Sequence, residues 1–313
     1  MTHTDDIQTE EGYTPFSLLI LGNGFDKDLG MKTAYRDFAE STFWPFTNLS
    51  NKDQGSLACF LNERKEDVNT WFDLEELLAE FAQNINKTIE QAEKDFQDLD
   101  KVIKSLKEYL QAQEDEFCKK MDTTMHAKRD TPARNVLQKI IRNKKENKIY
   151  TFNYTNVYRI ARKIILEAEG KMFFHIHGSI RDNNIILGTG DQREINPAYF
   201  GFYKSANSSY ASSNLVEDLA EADEVYIFGH SLGTNDHDYF YDFFQDCIHY
   251  HKENNCKRKI RIFTYDVNSE LEIKKQLMKL TNKHLIGLYA HCDVKILRTC
   301  REYQDSWMLK DDF

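Results

Sequence analysis

From residue 56 to residue 131 the chain contains neither glycine nor proline, the two residues that most often interrupt regular structure. Within that span Phe96, Leu99, Ile103, Leu106, Leu110 and Phe117 recur at alternating steps of three and four, with Gln113 filling the one gap. Leu74, Leu77, Phe81, Ile85 and Ile89 carry the same stripe upstream. This is helical periodicity, close to a heptad, and it predicts a long helical hairpin or small bundle. The intervening Glu, Lys and Asp read as a solvated face. Such a stripe more often packs helices of one chain together than zips two chains, although a homo-oligomer would also use it.

Outside this block short β-rich runs alternate with helix-like segments. The spacing predicts strands at Ser17–Leu21, Lys148–Phe152, Met172–Ile176, Glu224–Phe228 and Lys259–Tyr265, and helices at Asn156–Ala168, Tyr210–Ala222, Asp236–His251 and Ser269–Leu280. Near-continuous apolar strands such as Val225-Tyr226-Ile227-Phe228 suit a sheet covered on both faces. Alternation of strand and helix then implies an α/β fold with a doubly wound parallel sheet. The expected organisation is a flexible tail over 1–16, a nucleotide-binding α/β domain over 17–49 and 147–313, and a helical insertion over 50–146.

Composition narrows the function classes. A net charge of −10 argues against a broad nucleic-acid footprint. No run of 18 apolar residues occurs, so no membrane span is expected, and the acidic N-terminus does not read as a signal peptide. The six cysteines, Cys59, Cys118, Cys247, Cys256, Cys292 and Cys300, include no Cys-x-x-Cys pair. They read as reduced thiols of a cytoplasmic protein and exclude a four-cysteine zinc ribbon.

Chemistry-bearing residues gather at the predicted strand ends: Gly22-Asn23-Gly24-Phe25-Asp26, Asn153 in "TFNYTN", His175 and His177-Gly178-Ser179, and Gly229-His230-Ser231 running on to Asp236. In a parallel sheet these ends share one edge, where ligands bind. Each residue also has a plainer reading. Gly-Asn-Gly could be a tight turn, Asn153 a helix cap, His177 a satisfied core histidine, and Asp26 either a cap or an acceptor for a ribose diol. Asp73 and Glu75, with Trp71, either cap a helix or form an acidic edge of the cleft. Asp236, His237 and Asp238 point in different directions as neighbours in sequence, and no metal site is expected.

Taken in order, the glycine loop with Gly30, Thr-x-Asn, His-Gly-Ser and Gly-x-Ser-Leu resemble the sirtuin-like NAD-binding fold. More closely, "GNGFDKDLGMKTAYRDF", "WFDLEELL", "FNYTN", "HIHGS" and "FGHSLGTNDHDYF" are similar to the AbiH family of phage abortive-infection proteins. The resemblance implies phage defence, with NAD as substrate, cleaved to nicotinamide and ADP-ribose. It gives His177 the role of base and lets Asn153 position water or the nicotinamide ribose. Gly22, Asn23, Gly24, Phe25, Asp26, Gly178, Ser179, Gly229, His230, Ser231 and Asp236 would bind the cofactor, with Gly22–Gly24 backbone N–H groups serving the phosphates. The rival reading is a nucleotide-binding sensor or interaction module, with a defence-system partner. Two departures stand out: lysine-deacylating sirtuins carry Asp where this chain has Thr155, and they carry a zinc ribbon, so a protein deacylase is not expected.

Overall fold

The computed structural model describes residues 16–50, 53–67, 73–84, 87–123, 130–142, 147–210, 213–249 and 257–302. Residues 1–15 of the tail expected over 1–16, and Trp71, Ile85 and Cys256, lie outside these residues.

Six strands form one parallel sheet: β1 (Ser17–Leu21), β2 (Asn147–Thr151), β3 (Phe173–His175), β4 (Glu224–Phe228), β5 (Arg258–Thr264) and β6 (Cys292–Arg298), in the order β3-β2-β1-β4-β5-β6. Leu21 pairs with Thr151 on one side and Phe228 on the other, and Thr151 pairs with His175. The carboxyl ends of the four strands nearest the site are therefore level. Chain direction across the sheet reverses between β1 and β4, and such a reversal opens a crevice outside the strand ends.

All five residues of β1 are buried, because both faces of the sheet are covered. Leu18, Ile20, Val225, Ile227, Ile260 and Ile262 pack beneath α8 (Leu215–Glu221), α9 (His237–Cys247), α10 (Val267–Leu280) and α11 (Leu285–His291). Their neighbours Leu19, Leu21, Tyr226, Phe228 and Phe263 alternate to the other face, against α1 (Asn23–Asp28), α6 (Pro132–Arg142) and α7 (Val157–Ile164).

Between β1 and β2 the described residues form helices and no strand: α1, then α2 (Tyr35–Ala39), α3 (Leu57–Glu66), α4 (Leu74–Asn84), α5 (Ile89–Thr123) and α6. The breaker-free stripe becomes α5, 35 residues long, with Leu99, Leu106 and Leu110 in a core shared with α3 and α4. Its charged face is not wholly solvated. Asp95, Asp98 and Glu114 are buried, and each serves a backbone amide: Asp95 accepts from Leu57 N at 2.7 Å, Asp98 from Ala58 N at 3.4 Å, and Glu114 from Asn156 N at 2.8 Å. The first two amides open α3 and the third precedes α7, so α5 supplies acceptors to the orphan donors of other helices. At the far end of α5, Phe117 and Cys118 join α6 on the sheet.

Sequence bounds shift where tertiary packing decides. Helix expected over Tyr210–Ala222 is regular only over Leu215–Glu221, and the helix after β2 ends at Ile164. The sequence reading missed β6. Its residues alternate Asp293, Lys295 with Val294, Ile296, and only its first residue is fully buried, so it lacks the continuous apolar signature of the inner strands.

Candidate functional site

Glycine at the end of β1 does not prepare a phosphate cradle. Gly22 N donates to Phe228 O at 3.0 Å, Gly24 N to Gly229 O at 2.9 Å, and Phe25 N to Gly22 O at 2.9 Å. With the amides of Gly22 and Gly24 spent on the β4 end, the expectation that these two serve phosphates gives way to a packing role. A Cβ on Gly22 would sit 2.5 Å from His230 Cα, and one on Gly24 2.5 Å from Gly229 Cα. Only glycines let the loops after β1 and β4 touch backbone to backbone. Asn23 is likewise occupied, bonding Thr33 through both ends of its amide, and Phe25 is core, edge-on to Phe228.

After β2, Asn156 caps α7 by accepting from Arg159 N at 3.0 Å. Asn153 is thereby free of the capping role. Its Nδ2 donates to Asp26 Oδ1 at 3.1 Å, and Thr155 Oγ1 donates to Asp26 Oδ2 at 2.8 Å. Asp26 caps nothing: it is 1% exposed, and burial pushes its carboxyl up to about 7 against the pull of those two donors. Asn153 Oδ1 is buried and has no hydrogen-bond partner among the described residues. Such a group costs free energy unless something meets it.

After β3, Gly178 has φ of +72° and leaves no room for a Cβ, which would lie 1.9 Å from Asn184 O. Ser179 is consumed in the same turn, its N donating to Asn184 Oδ1 and its hydroxyl to Asp182 Oδ2, each at 2.8 Å. This turn carries His177 inward. Burial, with Lys204 behind it, holds the imidazole down to about 3, Asp236 notwithstanding. His177 is therefore neutral at physiological pH.

The group beside it is one the sequence reading missed. Lys204 Nζ lies 2.9 Å from Glu75 Oε2, 3.0 Å from Asp236 Oδ1 and 3.4 Å from His177 Nε2. Its backbone is held by Thr189, with Lys204 N donating to Thr189 O at 3.0 Å. Burial disfavours the ammonium, but Asp236 and Glu75 outweigh it and keep Lys204 charged. Asp236, also desolvated, is held ionised chiefly by Lys204 and by the hydrogen bond from His230. One ammonium cannot neutralise two buried carboxylates, and burial pushes Glu75 up to about 8. The sole polar signal in the sequence was a lysine closing the aromatic run Tyr199-Phe200-Gly201-Phe202-Tyr203.

From β4, His230 Nδ1 accepts from Leu232 N at 3.0 Å, so its proton sits on Nε2, 3.3 Å from Asp236 Oδ2. Leu232 has φ of +52°, a strained conformation for leucine, and that turn aims its amide at the ring. Gly229, at φ +62°, makes the preceding bend. Ser231 is exposed and accepts from Gly233 N at 3.2 Å. In the acidic motif at the start of α4, Asp73 Oδ1 caps the helix by accepting from Glu75 N at 2.9 Å, while Glu75 is turned inward to Lys204.

Glu75, Lys204, His177, His230 and Asp236 thus form one buried polar cluster, and Asn153 with Asp26 forms a second. Phe152 joins His177 and His230 at ring distances of 5.1 and 4.2 Å. Beside them, a cavity of about 490 Å³ opens along β3, lined by Tyr150, Tyr158, Phe173, His175 and Arg181. His175 Nδ1 lies 3.1 Å from Asn153 O, linking that cavity to the Asn153 strand end. Among the described residues no helix is long and apolar enough to cross a membrane.

The family model described as "Bacteriophage abortive infection AbiH" matches residues 18–260, a span that includes every residue of both clusters. No curated protein matches the chain, and no solved structure does.

Proposed function

The chain belongs to the AbiH family of bacteriophage abortive-infection proteins, and on that premise we propose that its strand-end site binds NAD and hydrolyses the bond between nicotinamide and ribose. The observation carrying this reading is the buried, unpartnered Oδ1 of Asn153 at the carboxyl end of β2, a place that in doubly wound sheets receives a nucleotide. Its chemistry suits a water or a ribose hydroxyl, both of which donate.

In the proposed reaction, water oxygen bonds to the anomeric carbon as the carbon–nitrogen bond breaks. Nicotinamide leaves neutral with the electron pair, so little acid help is needed. Asn153 orients the water or the ribose, and positioning of this kind supplies much of the barrier reduction. The water proton passes to His177. For that step ligand binding has to relieve both the burial of the imidazole and the nearby Lys204 charge, since an imidazole that these two hold near 3 is a poor base at neutral pH. The ionised Asp236 is placed to steady the imidazolium that results. Gly22, Gly24, Gly178 and Gly229 shape the loops, and Ser231 is the exposed hydroxyl open to the nucleotide.

A second reading, a nucleotide sensor or interaction module without turnover, is favoured by the same depressed His177 and by a cavity lying beside the cluster rather than over it. Incubating the full chain with NAD and following nicotinamide release, with and without phage infection, separates the two. Turnover abolished by His177→Ala and by Asn153→Ala, with NAD binding kept, supports hydrolysis. Binding without turnover in every preparation supports the sensor.

A further inference from the structure

We infer that Asp26 is a positioning residue for Asn153: its carboxylate captures the amide nitrogen, and Oδ1 is thereby kept as the free acceptor of the site. The inference rests on the proposed reading of Asn153 as the group that meets the ligand, and it adds what decides which end of the amide is presented.

A side-chain amide has a donor end and an acceptor end, and alone it has no reason to prefer one orientation. An ionised carboxylate only accepts. Facing Asp26 Oδ1 at 3.1 Å, Asn153 can offer only Nδ2. Thr155 Oγ1 occupies the other carboxylate oxygen at 2.8 Å, which stops the carboxylate from rotating away. The backbone beneath is pinned too, with Met31 N donating to Asp26 O at 3.0 Å. The result is a buried acceptor that none of the described residues satisfies.

This arrangement depends on a proton. Protonated, Asp26 has a hydroxyl to donate, and the amide can turn its oxygen toward it, withdrawing the acceptor. The groups facing Asp26 are Asn153 and Thr155 from the loop after β2, and Glu114 from α5, whose charge raises the Asp26 carboxyl further. Glu114 is itself paired with Arg159 of α7 at 2.7 Å. A carboxyl with its midpoint at about 7 would exchange between the two arrangements across the physiological range.

The test is a pH titration of the Asn153 side-chain NH2 resonances in the ¹⁵N-labelled full chain, identified by their loss in Asn153→Asp. In the wild type they are expected to move through one transition near pH 7. Thr155→Val removes a hydrogen bond to the charged form and should raise that midpoint by about one unit or more. Asp26→Asn should abolish the transition. Resonances that do not titrate between pH 5 and 9, or that titrate unchanged in Asp26→Asn, overturn the inference. The same samples then receive NAD. If none binds or cleaves it, the nucleotide reading fails while the titration still decides the role of Asp26. Where NAD is turned over, Asp26→Asn is expected to lower kcat roughly 10-fold or more with little change in KM, whereas equal values in both proteins count against positioning.

Discussion

Lys204 Nζ stands 3.0 Å from Asp236 Oδ1 inside the protein, joining the segment that follows β3 to the turn that opens α9. Asp236 precedes the helix yet makes no capping bond with its side chain, because the carboxylate is turned to the lysine and to both histidines. A charge-bearing strut of this kind ties together loops that leave different strands. Its partner Glu75 adds the start of α4.

Breaking the strut from one side should be costly. Lys204→Met leaves Asp236 and Glu75 buried without their cation, and removal of one partner from a buried pair typically costs about 3–5 kcal/mol. The double variant Lys204→Met/Asp236→Asn should be less destabilised than the sum of the two singles. Urea unfolding of the four proteins in a double-mutant cycle gives the coupling, and additive effects would contradict the strut.

Glycine substitutions should sort by space rather than by position in the motif. Gly24→Ala places a Cβ 2.5 Å from the Gly229 backbone, forcing two loops apart, and is expected to destabilise by more than about 2 kcal/mol. Gly30→Ala meets nothing within 4 Å but keeps a φ of +87°, so it should cost nearer 1 kcal/mol. Thermal melts of both variants check the order.

Much of the fold could be read from the residues, and the reason is burial. Strands covered on both faces are continuous apolar runs, so β1 and β4 were found with their bounds intact, and the glycines after them marked where loops crowd. What escaped depends on partners distant in the chain. Lys204 and Glu75 approach only because the chain from α4 returns over the strand ends. Asp95 looked like one more surface acid of α5, but it accepts from Leu57 N, from Tyr199 Oη at 2.6 Å and from Lys87 Nζ at 2.8 Å. Local periodicity cannot show that an acid is matched by three donors from elsewhere.

Asp95 therefore makes its own prediction. Asp95→Ala leaves a helix amide and a phenol without their acceptor and takes the carboxylate from Lys87, which keeps Gly55 O, and should destabilise by about 3–5 kcal/mol. Asp98→Ala loses a single long amide contact and an exposed lysine, and should cost clearly less. Equal losses in chemical denaturation would show that the α5 acids act only as general surface charge.

Two buried groups should tilt the pH–stability curve in opposite directions. Asp26 has a folded midpoint raised from 3.8 to about 7, so between those values the native state holds the proton more tightly than the unfolded chain. Stability contributed by the neutral carboxyl is complete below pH 4 and declines as pH rises to 7, by up to about 4 kcal/mol for a shift of roughly three units. His177 has a folded midpoint lowered from 6.5 to about 3, so there the unfolded chain binds the proton more tightly. Its contribution is complete above pH 6.5 and is lost as pH falls toward 3, by up to about 5 kcal/mol. Urea unfolding at half-unit steps from pH 4 to 8 measures both slopes. Asp26→Asn should flatten the decline toward neutral pH and gain most relative to wild type at pH 8. His177→Gln should flatten the acid side, its deficit relative to wild type shrinking as pH falls. Should Asp26→Asn leave the slope between pH 4 and 7 unchanged, its carboxyl would not carry the proton that its burial demands.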